Sequence, residues 1–481
     1  MSFEVVVIGG GPGGYKAALT AARLGASVAL IERGAPGGTC LNQGCVPKKA
    51  LLHLASLIED IRGLQGRGLR GDIAPDLLAA FAHKDSVVDG IRANFSVWLK
   101  RLGVTVINGR AALAGRAAGH YRIDVHGDEG RELRAPRIIV ATGAQPRALA
   151  ICPFDGERIL HSGHFMTQPR ERPASMLIVG GGAIGTEFAF LMHQFGTKVT
   201  LVEATERLLP KACVPERASA ALERKFARLG IDVHKRAEVL DASHIDGGVR
   251  VRLNDGHVGT YERVLIAIGR APVTADLGLA TVDIAPDEEG FVVTNEFLET
   301  SAPGIYAVGD VKLGPMTANA ALHDAKVAGA NAVKGNHARP NYHQVPIVID
   351  SALEIAAVGL TEERADAAGF APEAARISFG ASAKARARND YEGFIEVVHD
   401  EETGQLLGGC IVGPEAGEQI HMMAAACQSE RGLWFFSDMS YSHPSWTEEL
   451  ENAIDPYTTA LARSGKDLFR PGIYSQPRDR A

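Results

Sequence analysis

The most informative segment of the chain is EVVVIGGGPGGYKAALTAARLGASVALIE, residues 4–32. It predicts an apolar strand, a Gly-rich turn, an Ala-rich helix and a second strand that ends at Glu32. Such a unit presents the helix N-terminus to the phosphates of a dinucleotide, and the terminal carboxylate accepts from a ribose hydroxyl. Gly9 allows the tight turn, Gly11 lets the backbone approach a pyrophosphate, and Gly14 permits close packing of helix on strand.

The same pattern recurs in MLIVGGGAIGTEFAFLMHQFGTKVTLVE, residues 176–203. One such match is weak, because Gly-rich turns also serve purely structural ends, but a match repeated at one constant spacing is specific. The repeat therefore predicts two nucleotide-binding units, with one dinucleotide in each. The landmarks Gly9, Gly11, Gly14, Gly25 and Glu32 correspond, without gaps, to Gly180, Gly182, Gly185, Gly196 and Glu203.

The carboxylate of Glu203 predicts which nucleotide the second unit binds. A carboxylate at this position suits a free 2′-hydroxyl and repels a 2′-phosphate, so we expect NAD rather than NADP. Ala204, Thr205 and Glu206 supply no cation to reverse that preference, and Arg207 is the nearest one.

Composition excludes several classes of function. The 481 residues are 46% apolar, enough for two to four domains. The 50 Lys and Arg residues are fewer than the 57 Asp and Glu residues, and a net charge of -7 predicts no nucleic-acid partner. No stretch approaches a membrane span and the start lacks a signal-peptide pattern, so we expect a soluble, cytoplasmic protein without membrane insertion.

Two cysteines in GGTCLNQGCVPKK, residues 37–49, are the candidate reactive centre. Cys40 and Cys45 are too far apart for a thioredoxin-type pair, and no second cluster completes a zinc site, so no metal is expected. A static disulfide and two buried thiols are the structural alternatives. A reducing cytosol disfavours the static bridge, and Lys48 and Lys49 would lower the pKa of a thiolate, so the pattern favours redox catalysis.

With this Gly-Gly-x-Cys-x4-Cys-x-Pro core, the chain resembles the pyridine nucleotide-disulfide oxidoreductase family from about Phe3 to Ile454. The resemblance implies an α/β fold with two Rossmann-like dinucleotide-binding domains and a C-terminal α+β dimerisation domain. It implies FAD and NAD as cofactors. It also implies that Cys45 faces the flavin as a charge-transfer thiolate, while Cys40 exchanges with the substrate.

We divide the chain into four parts on this basis. Residues 1–150 are expected to form the FAD-binding domain and residues 151–272 the NAD-binding domain. Residues 273–345 are expected to complete the FAD site, and residues 346–481 to form the interface domain. The tail from Ser464 onward is expected to be loosely held.

Further motifs supply candidate cofactor contacts by the same resemblance. They are IIVATGAQP at residues 138–146, VLIAIGRAP at residues 264–272 and GIYAVGDVKLGPMTANA at residues 304–320. The FAD candidates are Gly9, Gly11, Gly14, Glu32, Gly38, Thr39, Lys49, Ala111, Thr142, Gly143, Asp310, Met316, Thr317 and Ala318. The NAD candidates are Gly180, Gly182, Gly185, Glu187, Glu203, Val239 and Gly269.

The segment SHPSWTEELENAI, residues 442–454, supplies a candidate base. Disulfide exchange needs a group that takes the proton of the incoming thiol, because the thiolate is the nucleophile. A lone His-Pro is more often a turn than a catalyst. The resemblance assigns His443 as the base, oriented by Glu448 and acting on the disulfide of the other subunit, and it therefore implies an obligate homodimer.

The resemblance also implies an activity: oxidation of protein-bound dihydrolipoyl groups to lipoyl, with reduction of NAD. The expected partner is a lipoylated carrier protein or an E2-type component. The alternatives are reduction of another disulfide, such as a glutathione-type thiol, or service to a lipoyl carrier outside the 2-oxoacid dehydrogenase complexes, as in sulfur oxidation. A non-enzymatic flavin-binding subunit is the third reading.

Several residues depart from the family pattern. Lys48 precedes Lys49 where relatives acting on lipoamide have serine; we expect Lys49 to lie near the flavin and pair with Glu187, with Lys48 as the alternative. Other departures are Asn319, Leu322, Leu353 and Trp446, the last of which we place near the substrate entrance.

Overall fold

The computed structural model describes residues 1–127, 130–168, 171–210, 213–429 and 431–463. The tail from Ser464, expected to be loosely held, lies outside these ranges. Three five-stranded sheets organise the described chain. Within those ranges, no helix combines the length and the apolar character that a membrane span needs.

The first sheet is parallel and contains the first nucleotide-binding unit. Its strand order is β18, β7, β1, β2, β3, where β1 and β2 come from the first Gly-rich repeat and β18 returns from much later in the chain. Every strand is paired in parallel, so the carboxyl ends meet at one edge, where ligands bind in such sheets. The strands are β1 (Val5–Ile8), β2 (Val28–Glu32), β3 (Val104–Asn108), β7 (Arg137–Val140) and β18 (Ile305–Ala307).

Helices cover this sheet and carry the reactive segment. The helix of the repeat, α1, packs against α8, which follows β18 in the chain. Between β2 and β3 the chain forms three helices, of which the first two carry the cysteines. The helices are α1 (Pro12–Arg23), α2 (Gly38–Asn42), α3 (Cys45–Gly63), α4 (Leu77–Arg101) and α8 (Ala318–Lys334), and an antiparallel sheet follows of β4 (Arg110–Ala117), β5 (His120–His126) and β6 (Arg131–Ala135).

The second sheet repeats this arrangement. Its parallel strand order is β12, β11, β10, β16, β9, with β10 and β11 from the second Gly-rich repeat. The strands are β9 (Ile159–Leu160), β10 (Ser175–Val179), β11 (Lys198–Glu203), β12 (Asp232–Lys235) and β16 (Arg263–Ile266); the helices are α5 (Ser162–Thr167), α6 (Ala183–Gln194) and α7 (Glu216–Leu229); an antiparallel sheet contains β13 (Val239–Ile245), β14 (Gly248–Leu253) and β15 (Val258–Tyr261). The predicted duplication is thus confirmed, and a two-stranded ribbon of β8 (Ala144–Pro146) and β17 (Arg270–Pro272) joins the units.

The third sheet is antiparallel and belongs to the C-terminal part. Its order is β19, β20, β23, β22, β21, and α11 packs on β20 and β23. This confirms the predicted α+β architecture of the C-terminal domain. The elements are β19 (Ile347–Asp350), β20 (Glu354–Gly359), β21 (Pro372–Ser378), β22 (Phe394–Asp400), β23 (Leu406–Val412), α9 (Glu362–Ala367), α10 (Ala383–Arg388), α11 (Ala416–Gln428), α12 (Trp434–Ser437) and α13 (Glu448–Arg463). Four 3₁₀ turns complete the description: Leu279–Val282, Gly309–Val311, Tyr342–Gln344 and Phe379–Ala381.

Candidate active site

The Gly-rich turn of the first unit is packed too tightly for any side chain at two positions. A Cβ on Gly9, whose φ is +105°, would lie 2.3 Å from the carbonyl oxygen of Ala141. A Cβ on Gly14 would lie 1.7 Å from the carbonyl oxygen of Gly9. Gly14 therefore brings the helix onto the strand, the physical role that the spacing predicts.

Glu32 holds this turn from the end of β2. Its carboxylate accepts the backbone N–H of Gly10 at 2.6 Å and that of Gly34 at 2.8 Å. A carboxylate oxygen has further lone pairs, so these bonds leave room to accept a ribose hydroxyl.

A cleft of about 740 Å³ opens from this turn, which is the size range of cofactor sites. Lys48, Glu187, Arg270 and Asp350 line it as well. Both cysteines line the cleft, and Gly14 lies beneath the turn. The other thirteen of the fourteen FAD candidates line the cleft: Gly9, Gly11, Glu32, Gly38, Thr39, Lys49, Ala111, Thr142, Gly143, Asp310, Met316, Thr317 and Ala318.

The walls of the cleft fit a large polar ligand such as FAD. A Cβ on Gly143 would meet nothing within 4 Å, and one on Gly11 would meet only the Cα of Gly38 at 3.9 Å, so bare backbone is accessible there. Buried in the wall, the Nε atom of Arg270 faces the Asp310 carboxylate at 3.7 Å but has no hydrogen-bond partner among the described residues. A buried donor of this kind is costly unless a ligand satisfies it, and the cleft therefore suits the FAD expected of the first unit.

The two cysteines lie on consecutive helices and are both free thiols in the structure. Cys40 belongs to α2, Cys45 begins α3, and the two side chains are hydrogen-bonded. That bond from Cys40, aided by the charge of Lys48 against the effect of burial, lowers the pKa of Cys45 to about 7. The same bond, together with burial, raises the pKa of Cys40. The pair thus consists of one ready thiolate and one thiol.

Lys48, rather than Lys49, is the lysine that pairs with Glu187. The Nζ atom of Lys48 lies 2.5 Å from the Glu187 carboxylate, which is 1% exposed. Although burial opposes its charge, Glu187 raises the pKa of Lys48. The expected pairing of Lys49 with Glu187 is therefore wrong: helix α3 turns the third residue after Cys45 inward, and Lys49 remains 57% exposed.

Asp350 is a residue that sequence reasoning missed. Its carboxylate accepts from Lys49 at 2.6 Å, and its backbone N–H donates to Glu187 at 3.2 Å. Because Asp350 ends β19, this contact joins the C-terminal sheet to helices of both nucleotide-binding units. No local pattern could reveal it, since Glu187 is 163 positions away. Glu187, assigned from sequence to the NAD site, thus lies where the units meet, beside the cysteines.

The His443 imidazole is held by its predicted partner. Its Nδ1 atom lies 2.9 Å from the Glu448 carboxylate. The Ser445 N–H donates to that carboxylate and the Ser445 hydroxyl accepts from the Glu448 N–H, a reciprocal cap that fixes Glu448 at the start of α13. The His443 side chain is 75% exposed and is not among the described residues that line the cysteine cleft of its own chain.

The second unit repeats the turn geometry of the first. A Cβ on Gly185 would lie 1.8 Å from the carbonyl oxygen of Gly180, whereas one on Gly182 would meet nothing within 4 Å. Glu203 accepts the N–H groups of Gly181 at 2.7 Å and Thr205 at 2.8 Å.

Two other NAD candidates lie in different surroundings. A Cβ on Gly269 would also meet nothing within 4 Å. The Val239 side chain, by contrast, packs into the core of the unit. An open turn at a helix N-terminus is the feature that a pyrophosphate needs, so the backbone around Gly182, at the start of α6, fits NAD.

The departures from the family pattern fall in two places. Asn319 and Leu322 line the cleft, and Asn319 donates to the carbonyl oxygen of Pro346. Trp446 is only 5% exposed and packs edge-on against Phe379, inside the core of the C-terminal unit. The expectation that Trp446 lies at the substrate entrance is therefore wrong, because its ring points into that core. Leu353 is also buried.

Comparisons with known proteins agree with this geometry. Residues 3–325 match the model of the pyridine nucleotide-disulphide oxidoreductase family, and residues 345–454 match its dimerisation domain. A dihydrolipoyl dehydrogenase of Thermus scotoductus is 36% identical over 460 residues, 94% of this chain and 97% of that protein. Dihydrolipoyl dehydrogenase 2 of Haloarcula marismortui is 36% identical over 457 residues, 94% of this chain and 95% of that protein.

Solved structures show the same architecture. LpdA from Mycobacterium tuberculosis has a TM-score of 0.88 at 28% identity, covering 94% of this chain and 99% of that one. The HOCl-induced flavoprotein disulfide reductase RclA from Escherichia coli has a TM-score of 0.81 at 29% identity, covering 94% and 99%. This chain therefore shares its fold with a flavoprotein disulfide reductase as well as with LpdA.

Proposed function

Because the chain belongs to the pyridine nucleotide-disulphide oxidoreductase family, we propose that it oxidises dihydrolipoyl groups to lipoyl and reduces NAD, the activity of dihydrolipoyl dehydrogenases. The enzyme is a flavoprotein that uses FAD and NAD. The identity of 36% over 94% of the chain to a curated dihydrolipoyl dehydrogenase supports this activity.

The observation that carries the proposal is the Cys45 thiol beside Lys48 in the 740 Å³ cleft. Its pKa of about 7 makes it half ionised at neutral pH. A thiolate so placed is both a good leaving group in disulfide exchange and an electron donor. A static disulfide would need neither the lowered pKa nor the buried Lys48–Glu187 pair.

The residues of the chain carry the exchange in two steps. In the oxidised protein, a disulfide joins Cys40 and Cys45. The Nε2 atom of His443 takes the proton of the first substrate thiol, and the resulting thiolate attacks the sulfur of Cys40, which breaks that disulfide and displaces Cys45 as a thiolate. The second substrate thiol then attacks the substrate sulfur of the mixed disulfide, closing the lipoyl ring and releasing Cys40. Two electrons now reside on the cysteine pair. Bound FAD supplies the route by which they reach NAD.

Two chains build each site in this account. The C-terminal unit matches the family's dimerisation domain, and the protein is a homodimer. His443 and the cysteine cleft are separate within one chain, and the exposure of His443 leaves its ring available to a partner. We place His443 of one subunit against Cys40 of the other, which makes the dimer obligatory for activity.

A lipoylated carrier protein or E2-type component is the proposed partner, in a cytoplasm whose thiol pool keeps the cysteines exchangeable. The second candidate is reduction of a glutathione-type disulfide. The position of Lys48 and the structural similarity to the reductase RclA favour it. Glu203 opposes its NADPH-linked form, because a carboxylate at this position repels a 2′-phosphate.

Steady-state kinetics separates these candidates. NAD reduction is measured with free dihydrolipoamide and with lipoylated carrier domains, alongside oxidation of NADPH by glutathione disulfide. Turnover with dihydrolipoamide should exceed turnover with glutathione disulfide. The reverse order would replace the proposed substrate by the glutathione type.

A further inference from the structure

A buried charged network lies directly beneath the turn that carries Asp310 into the cofactor cleft. Lys312 is 4% exposed and Asp324 is 1% exposed. The Nζ atom of Lys312 lies 3.3 Å from the Asp324 carboxylate and 2.8 Å from the Tyr342 hydroxyl, which itself donates to Asp324 at 2.6 Å. The three side chains therefore form a closed triangle of polar contacts.

The network reaches the cleft through one backbone bond. The N–H of Gly309 donates to Asp324 at 3.1 Å, and the N–H of Lys312 donates to the Gly309 carbonyl at 3.2 Å. These two bonds hold both ends of the 3₁₀ turn Gly309–Val311, whose middle residue is Asp310. Gly309 has a φ of +68°, a conformation that favours glycine and that the Asp324 contact keeps in place.

Three parts of the chain supply the network. Lys312 follows the last strand of the first sheet, Asp324 belongs to α8, and Tyr342 lies in the segment that leads into the C-terminal unit. A second hydrogen bond ties this segment to α8: the N–H of Asn341 donates to the Nε2 atom of His323. The network therefore fixes the Asp310 turn relative to α8, whose first residues also line the cleft.

Burial of such a network is expensive and is not explained by stability alone. An apolar trio of the same volume is often as stable as a buried ion pair, whereas a satisfied polar network fixes one geometry. No residue of the trio lines the cleft or contacts the cysteine pair, so it acts only through the residues that it holds.

We propose that Lys312, Asp324 and Tyr342 are positioning residues that hold the Asp310 carboxylate in the orientation that binds FAD. This rests on the proposed function, because it requires FAD in the cleft. The trio sets how tightly the cofactor is held, and Tyr342 makes that affinity depend on the segment joining the flavin-binding and C-terminal units.

The deciding variant is Tyr342→Phe, which removes one hydroxyl and leaves the Lys312–Asp324 pair intact. FAD is titrated into the apoprotein, with Tyr391→Phe, a change of an exposed tyrosine, as the matched control. Loss of a hydrogen bond to a charged group predicts FAD binding roughly 10-fold weaker in Tyr342→Phe, with unchanged circular dichroism. Lys312→Met should weaken it further, and Lys334→Met, at an exposed position of α8, should not.

A double-mutant cycle separates positioning from general stabilisation. If the trio acts through Asp310, Tyr342→Phe will weaken FAD binding in the wild-type background but not in an Asp310→Ala background. An equal loss of FAD affinity in both backgrounds, or wild-type affinity in Tyr342→Phe, would overturn the inference. The proposed function would still stand in that case, provided that the wild-type protein binds FAD. Failure of the wild-type protein to bind FAD would instead refute the proposed function and this inference with it.

Discussion

The Nζ atom of Lys48 lies 2.5 Å from the carboxylate of Glu187, a residue of the second nucleotide-binding unit. The lysine side chain is 18% exposed, and its charge helps to lower the pKa of Cys45. One ion pair thus joins the two units and acts on the reactive thiol. The third residue after Cys45 carries it, while the fourth, Lys49, binds Asp350 near the surface.

Replacement of Lys48 should therefore disable the thiolate. Lys48→Met removes the cation and raises the pKa of Cys45 above about 7, so turnover with dihydrolipoamide at neutral pH should fall roughly 10-fold or more. Lys49→Met is the matched control and should retain most activity, because an exposed ion pair contributes only about 0–1 kcal/mol. Equal losses in both variants would contradict the assignment.

A stability measurement accompanies that test. Lys48→Met leaves the Glu187 carboxylate buried without its cation, which costs about 3–5 kcal/mol of unfolding free energy. Lys48→Met combined with Glu187→Gln removes the uncompensated charge and should recover part of that loss. Urea unfolding of the single and double variants measures the difference.

The ionisation of Cys45 predicts the pH dependence of the reduced protein. Because its pKa is lowered from 9.0 to about 7, Cys45 should be a thiol below about pH 7 and a thiolate above it. The reduced protein is titrated from about pH 5 to about pH 10, and the ultraviolet absorbance of the thiolate is followed with Cys45→Ser as the blank. The midpoint of the titration should lie near pH 7. A midpoint at the ordinary value for cysteine would remove the electrostatic role of Cys40 and Lys48.

Mixed dimers test whether two chains build each site. His443→Gln and Cys45→Ser homodimers should each be nearly inactive, since a general base contributes about 100- to 10,000-fold. In a heterodimer, one site regains a normal Cys45 and a normal His443. Random reassociation should then restore about one quarter of wild-type activity, because half the dimers carry one competent site of two. Mixtures that stay inactive would place His443 and the cysteines of a site in one chain.

The two glycines of the second turn should respond differently to alanine. At Gly185 a Cβ would lie 1.8 Å from a backbone oxygen, so Gly185→Ala should lose about 2–3 kcal/mol or more of stability. At Gly182 a Cβ would meet nothing within 4 Å, and Gly182→Ala should change stability by less than about 0.5 kcal/mol. It should nevertheless raise KM for NAD roughly 10-fold, because the methyl group occupies the approach of the pyrophosphate. Normal KM in a stable Gly182→Ala protein would contradict that placement of NAD.

The repeated Gly-rich pattern was enough to predict the two parallel sheets. Each landmark has a physical reason within its own repeat: Gly14 and Gly185 permit helix-on-strand contact, and Glu32 and Glu203 accept the turn amides of Gly10 and Gly181, 22 positions earlier. Short-range chemistry of this kind is legible in one sequence. The motif around Cys40 and Cys45 is local in the same sense, and the structure places both residues in one cleft.

Contacts between distant segments could not be predicted in the same way. Which lysine faces inward depends on where α3 sits relative to α6 and β19, and the spacing from Cys45 alone does not decide it. Asp350 and Tyr342 lie in no motif, and each gains its role only when distant parts of the chain meet. Trp446 stands three residues after His443, yet its ring packs into the core while the imidazole stays exposed.

The proposed reaction requires that electrons pass between the Cys40–Cys45 pair and NAD through FAD. It is tested most directly by the rate of NAD reduction by dihydrolipoamide in the FAD-loaded protein and in its Cys40→Ser and Cys45→Ser variants. We expect NAD reduction by the wild-type protein and a loss of at least about 1,000-fold in each variant, with FAD still bound. Full activity without either sulfur would contradict it.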